Sequence, residues 1–94
     1  DPGIGFGKTQ AHNLRLLQNL SLFHGLGCPV LLGASRKRFI GDISNKPQAS
    51  DRIPGSLAVA LGGVAQGVQI LRVHDVPETR AALDLWRAVT FAAL

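Results

Sequence analysis

A chain of 94 residues holds one small domain with room for only about two or three strand–helix units, too few to close a sheet on itself. With 46% hydrophobic and 17% charged residues it has a core to bury, while its apolar runs break well short of the ~18 residues of a membrane span, so a soluble cytoplasmic protein is expected. The net charge of +4 admits an anionic partner, but the cations come singly except at Arg36, Lys37 and Arg38 and aromatics are few, which excludes the basic stripe and stacking platform of a nucleic-acid binder.

The chain opens on Asp1 and contains no Met, and is therefore read as a piece of a longer protein. Its first nine residues, DPGIGFGKT, set a carboxylate beside Gly3, Gly5 and Gly7, an arrangement that costs backbone entropy and lets a ligand come close. A Walker loop requires glycine where Pro2 stands, and the dinucleotide fingerprint requires GxGxxG where this loop has GxGxG. Neither phosphate motif fits, so the loop is expected to serve another site.

A helix is predicted from Thr9 or Gln10 to His24, with Leu16, Leu17, Leu20 and Phe23 on its buried face and Gly25 or Gly27 as its stop. His12 and His24 lack the spacing of a metal pair, and no metal ligand is assigned. Cys28, the single cysteine, is expected to be a buried thiol at the head of an apolar run. Pro29 to Gly33 reads as a buried strand that runs directly into Ser35, Arg36 and Lys37. From Asp42 to Ala49 the polar, breaker-rich sequence reads as a mobile surface loop.

A second helix is predicted to start near Ser50 or Asp51 with Pro54 in its first turns, to bury Leu57, Ala58, Leu61, Val64 and Ala65, and to stop at Gly67. Its small residues Ala60, Gly62 and Gly63 suggest close packing against a neighbour. Val68 to Val73 is the next strand, with Val68, Ile70, Arg72 and His74 on one side and Gln69, Leu71 and Val73 on the other. Arg72 and His74 thus leave the strand end together, as an anion clamp does. Asp75 to Glu78 resembles a capping box, and the helix after it is expected to bury Ala82 or Leu83, Leu85, Trp86 and Val89.

The order helix, strand, helix, strand, helix implies parallel strands joined by right-handed crossovers. Parallel strands put their C-terminal ends on one rim, and here that rim collects Asp1, Ser35, Arg36, Lys37, Arg72 and His74. Both open α/β sheets and TIM barrels bind ligands at that rim.

Four stretches, DPGIGFGKTxxHN, GxSRKxFIG, GSLA and RVHDVxET, resemble in order and spacing the C-terminal part of dihydropteroate synthase, a pterin-binding TIM barrel of folate biosynthesis. The likeness runs from Asp1 to about Val89. It implies an α/β fold, a partial (β/α)8 barrel from the end of strand six through helix eight, with residues 1–94 one part of that domain. The implied reaction joins 4-aminobenzoate to a dihydropterin-methyl diphosphate and releases pyrophosphate. By resemblance, Asp1 binds the pterin ring and Lys37 lies beside pterin and aminobenzoate. Arg72 and His74 hold the diphosphate, and Phe6, with Gly7 and Ser35 near it, lines the aminobenzoate pocket.

The residue types suit that chemistry. A pterin edge donates to a carboxylate such as Asp1, and the charge that builds on a departing diphosphate suits Arg72 and His74. The aniline nitrogen is itself nucleophilic, so no enzyme nucleophile is required. The resemblance also implies Mg2+, with its ligands upstream of Asp1, a full-length homodimer, and sensitivity of the pocket to sulfonamide mimics. This stretch alone is not expected to catalyse. Ile53-Pro54 before GSLA departs from the family pattern and bears only on the local helix start. Other readings are a corrinoid-linked methyltransferase of the same superfamily, a nucleotide-binding switch, and a purely structural module, in which the strand-end charges would scatter.

Overall fold

The structure, a computed structural model, describes residues 1–93. In chain order the elements are α1 (Gln10–Gln18), a 3-10 helix (Leu20–Leu26), β1 (Leu31–Leu32), α2 (Arg38–Ser44), a 3-10 turn (Ala49–Asp51), α3 (Ile53–Ala65), β2 (Ile70–Leu71) and α4 (Val76–Thr90). The strands pair in parallel, Leu31 opposite Ile70 and Leu32 opposite Leu71, as the crossover order requires. Both strands are shorter than predicted. Extended pairing continues at their edges, where the Gln69 and Ile70 amides donate to Val30 O, each at 3.2 Å, and the Arg72 amide donates to Leu32 O at 3.0 Å. Among the described residues, no helix is long and apolar enough to cross a membrane.

The core joins Val30, Leu32, Ala34 and Val68 of the strand segments to Leu20, Phe39 and Ile40, and it also takes in Ile4 from the glycine loop. Ile4 is 0% exposed. Burial of one aliphatic side chain stabilises by about 1.5–3 kcal/mol, so Ile4 anchors an otherwise largely exposed, glycine-rich loop onto the core.

The first helix differs from the prediction: α1 stops at Gln18 and a 3-10 helix continues to Leu26, closed by Gly27 at φ 77°. The cause is a side chain from a distant helix. An α-helix would bond the Ser21 amide to the Leu17 carbonyl, but Gln66 intervenes, its Oε1 accepting from Ser21 N at 3.1 Å and its Nε2 donating to Leu17 O at 2.5 Å. A side chain inserted into the i to i−4 ladder breaks the helical repeat while leaving both backbone groups satisfied. Cys28, just beyond, is exposed rather than buried, because the sheet begins to enclose the chain only at Val30.

The stretch expected to be a loop from Asp42 is α2 up to Ser44, ended by Asn45 at φ 58°, with the Lys46 amide donating to Gly41 O at 2.8 Å. The turn that follows is tethered. Arg52 donates to Lys46 O at 2.9 Å, to Pro47 O at 2.7 Å and to Arg36 O at 2.8 Å. Ser50 and Asp51 lie in the 3-10 turn, so α3 begins two residues later than the latest predicted start, at Ile53, with Pro54 in its first turn.

Helix α3 buries Ser56, Ala60 and Gly63 instead of the larger residues predicted, leaving Leu57, Leu61 and Val64 half-buried and Ala58 and Ala65 exposed. Close approach to the sheet inverts the usual rule of size. A Cβ on Gly63 would lie 2.6 Å from Leu32 Cδ2, whereas one on Gly62 would meet open space. Gly63→Ala should therefore destabilise by about 1–3 kcal/mol through overpacking, and Gly62→Ala should stabilise by roughly 0.5–1 kcal/mol through helix propensity. Urea midpoints of the two variants in the complete protein check both signs; equal shifts would contradict the packing.

Helix α4 buries Thr79, half-buries Ala82, Leu83 and Trp86, and leaves Leu85 and Val89 exposed, which corrects the predicted face. The predicted capping box is not formed. Asp75 occupies the N-cap position without a side-chain cap, because its carboxylate is bound by Arg36.

Candidate active site

The C-terminal ends of β1 and β2 and the glycine loop meet on one side of the molecule. Asp1 accepts the Gly3 amide at 2.9 Å through Oδ1, and its Oδ2 lies 3.2 Å from Arg72 Nη1. Beneath Arg72 is Gly33, where a Cβ would meet the guanidinium, so a side chain there would displace the arginine from its place across the end of β1. Gly3, Gly5 and Gly7 all have positive φ, so the loop takes turns that side chains disfavour.

Lys37 reaches back over the loop. Its Nζ donates to Ile4 O and stands 4.5 Å from the centroid of the Phe6 ring. Phe6 is 68% exposed, and with Gly5, Lys37, Arg38 and Phe39 it lines a cleft of about 170 Å³. Ser35 faces the second strand: its Oγ accepts the His74 amide at 3.2 Å and lies 3.0 Å from His74 Nδ1. With Nδ1 engaged, Nε2 is the ring nitrogen left to face a ligand.

Five of the six predicted rim residues, all but Arg36, form three coupled pairs once Phe6 of the glycine loop is included: Asp1 with Arg72, Ser35 with His74, and Phe6 with Lys37. They do not line a single cavity. Ser35 and Arg72 share a cleft of only about 10 Å³, separate from the one beside Phe6. Gly7 shapes the loop and has nothing within 4 Å of the place its Cβ would take. Two larger grooves, about 570 Å³ between α3, β2 and α4 and about 750 Å³ along α1, are mainly apolar and lie away from the rim charges.

Lys37 has its pKa lowered, first by loss of water around the ammonium and then by the nearby charges of Arg72 and Lys8. Folding therefore favours its neutral form. Between the folded pKa and the ordinary 10.5 the unfolded chain binds more protons, so stability rises with pH across that window. Competitive acylation followed by mass spectrometry should show half-maximal reaction of Lys37 at a lower pH than that of a short lysyl peptide. Coincident curves would contradict the assignment.

Three supports escaped the sequence reading. Asn13, buried on α1, accepts the Gly5 amide at 2.9 Å and holds the loop from below; an Asn at a position facing the core was the available signal. Arg36, expected as a rim cation, turns away to Asp75, which raises its pKa and lowers that of Asp75 through their hydrogen bonds. Arg52 spans three carbonyls with no local pattern to announce it.

Comparison with known proteins places these residues in context. The pattern of the pterin binding enzyme family matches residues 1–74. A dihydropteroate synthase of Haemophilus influenzae is 51% identical over 92 residues, which cover 98% of this chain and 33% of that protein. Dihydropteroate synthase from Xanthomonas albilineans, solved in complex with 7,8-dihydropteroate, superposes with a TM-score of 0.95 at 45% identity, over 99% of this chain and 36% of that one. The enzyme from Thermus thermophilus, solved with 4-aminobenzoate, gives a TM-score of 0.91 at 50% identity, over 95% of this chain and 35% of that one. This chain spans about a third of the length of the curated relatives it matches.

Proposed function

Because this chain belongs to the pterin binding enzyme family, we propose that it is the C-terminal part of a dihydropteroate synthase and carries part of its substrate rim. Its strands and helices are then the last units of a (β/α)8 barrel, from the end of strand six through helix eight. The observation that carries the reading is the convergence of Asp1, Ser35, Lys37, Arg72 and His74 at the C-terminal strand ends, beside an exposed Phe6.

In the reaction, the aniline nitrogen of 4-aminobenzoate attacks the pterin methylene carbon. The carbon–oxygen bond breaks, its electron pair leaves with the diphosphate, and the amine gives up a proton. Asp1 accepts hydrogen bonds from the pterin edge, exchanging its Arg72 partner for the ring. Arg72, freed, and His74 through Nε2 donate to the diphosphate as its charge grows. Ser35 holds the His74 ring in orientation. Lys37 brings a cation to the junction of the two substrates, and Phe6 supplies an apolar wall for aminobenzoate.

Magnesium is a further expectation from the family. Among the described residues, no three His, Cys, Asp or Glu side chains gather into a metal site, and no step of this mechanism runs through the ion. Its ligands, like the partner subunit of a homodimer, would belong to the complete enzyme. The complete enzyme, given the dihydropterin-methyl diphosphate and 4-aminobenzoate, should release one pyrophosphate for each dihydropteroate formed. Pterin binding without pyrophosphate release would overturn the assignment.

A further inference from the structure

We propose that Arg36 is a positioning residue that acts through Asp75, bracing the two strand ends so that Lys37 and the Arg72–His74 pair stand at a fixed spacing around the leaving diphosphate. This rests on the synthase reading above. Arg36 lies between Ser35 and Lys37 after β1, and Asp75 follows His74 after β2, so their bond ties together the two segments that bear the rim groups.

The bond is two-pronged. Arg36 Nε donates to Asp75 Oδ2 at 2.9 Å and Nη2 to Oδ1 at 2.5 Å. Planar forks of this kind fix orientation as well as distance. Asp75 is only 8% exposed, which restricts its freedom to turn to another partner. The carboxylate also leaves undone the capping role that its place at the start of α4 offers.

The backbone of Arg36 is held just as closely. Its φ is 57°, a left-handed conformation that a non-glycine residue adopts rarely. Its amide donates to Ser56 Oγ at 2.8 Å, and its carbonyl accepts from Arg52 Nη1 at 2.8 Å. Ser56 in turn donates to Arg52 O at 2.7 Å from within the buried line of α3. The left-handed turn at Arg36 reverses the chain between Ser35 and Lys37, and so directs one towards His74 and the other towards Phe6. With Nε and Nη2 engaged by Asp75, Arg36 serves the rim through its neighbours rather than by touching substrate.

The test is a double-mutant cycle in the complete enzyme. Arg36→Ala and Asp75→Asn should each lower kcat by roughly 10- to 100-fold, the scale of loss from displaced reacting groups. The KM for aminobenzoate should change far less than kcat, the double variant should be no worse than either single one, and Arg36→Lys should recover part of the turnover. Asp75→Asn is nearly isosteric and keeps the test decisive if Arg36→Ala does not fold. Additive losses in the double variant, or a folded Asp75→Asn enzyme with unaltered kcat, would overturn the proposal. If the unaltered enzyme makes no dihydropteroate, the synthase reading fails instead. The brace is then judged by the affinity of the same variants for inorganic pyrophosphate, where the same non-additivity is expected and its absence refutes it.

Discussion

Arg72→Ala in the complete enzyme is expected to lower kcat by roughly 100- to 1,000-fold, the range found when a donor to developing negative charge is removed from a preorganised site. The guanidinium sits over Gly33 at the end of β1, 3.2 Å from Asp1. In the free protein it pairs with that carboxylate; in the mechanism proposed above it turns to the diphosphate in the reacting complex. Because the leaving group gains charge as its bond breaks, the lost contact is stronger in the transition state than in the ground state. The defect should therefore appear in turnover and in kcat/KM together, with a smaller change in affinity for the intact diphosphate. A loss confined to KM would mean that Arg72 binds substrate without assisting bond cleavage. Gly33→Ala should reproduce part of the defect by forcing the guanidinium aside.

Phe6→Ala should act on the other substrate. The ring is exposed, stands beside Lys37 and forms one wall of the cleft at the glycine loop. If it walls the aminobenzoate pocket as proposed, its removal takes away apolar contact worth roughly 1–3 kcal/mol or about 10- to 200-fold. The KM for aminobenzoate should rise by a factor in that range, affinity for sulfonamide mimics should fall with it, and kcat at saturation should change little. Steady-state kinetics in aminobenzoate at saturating pterin diphosphate measures this. An unchanged KM would remove Phe6 from the aminobenzoate pocket.

The rim was legible because its signal is local. Parallel strands present successive C-terminal ends on one side, so Ser35, Lys37, Arg72 and His74 could be placed from strand limits and alternation alone. Asp1 followed from its glycines. What sequence reading missed depends on residues far apart along the chain. Gln66 interrupts the first helix from 49 positions away, and Asp75 claims Arg36 from 39; neither pairing leaves a periodic trace. The buried line of α3 was misread for a related reason. Large apolar residues mark a helix face at ordinary distance from its neighbour, but α3 buries Ser56, Ala60 and Gly63, and at Gly63 it approaches Leu32 too closely for a side chain. In α4 the apolar Leu85 and Val89 follow helical spacing yet are exposed among the described residues, because periodicity identifies an apolar face without saying what covers it.

On the proposed mechanism the rim divides into an anion clamp at the end of β2 and an aminobenzoate wall in the glycine loop. Calorimetric titration of the complete enzyme with the dihydropterin-methyl diphosphate, in the unaltered, Arg72→Ala and Phe6→Ala forms, tests it most directly. Binding should be measurably weakened in Arg72→Ala and nearly unaltered in Phe6→Ala. Equal weakening in the two variants would contradict the division.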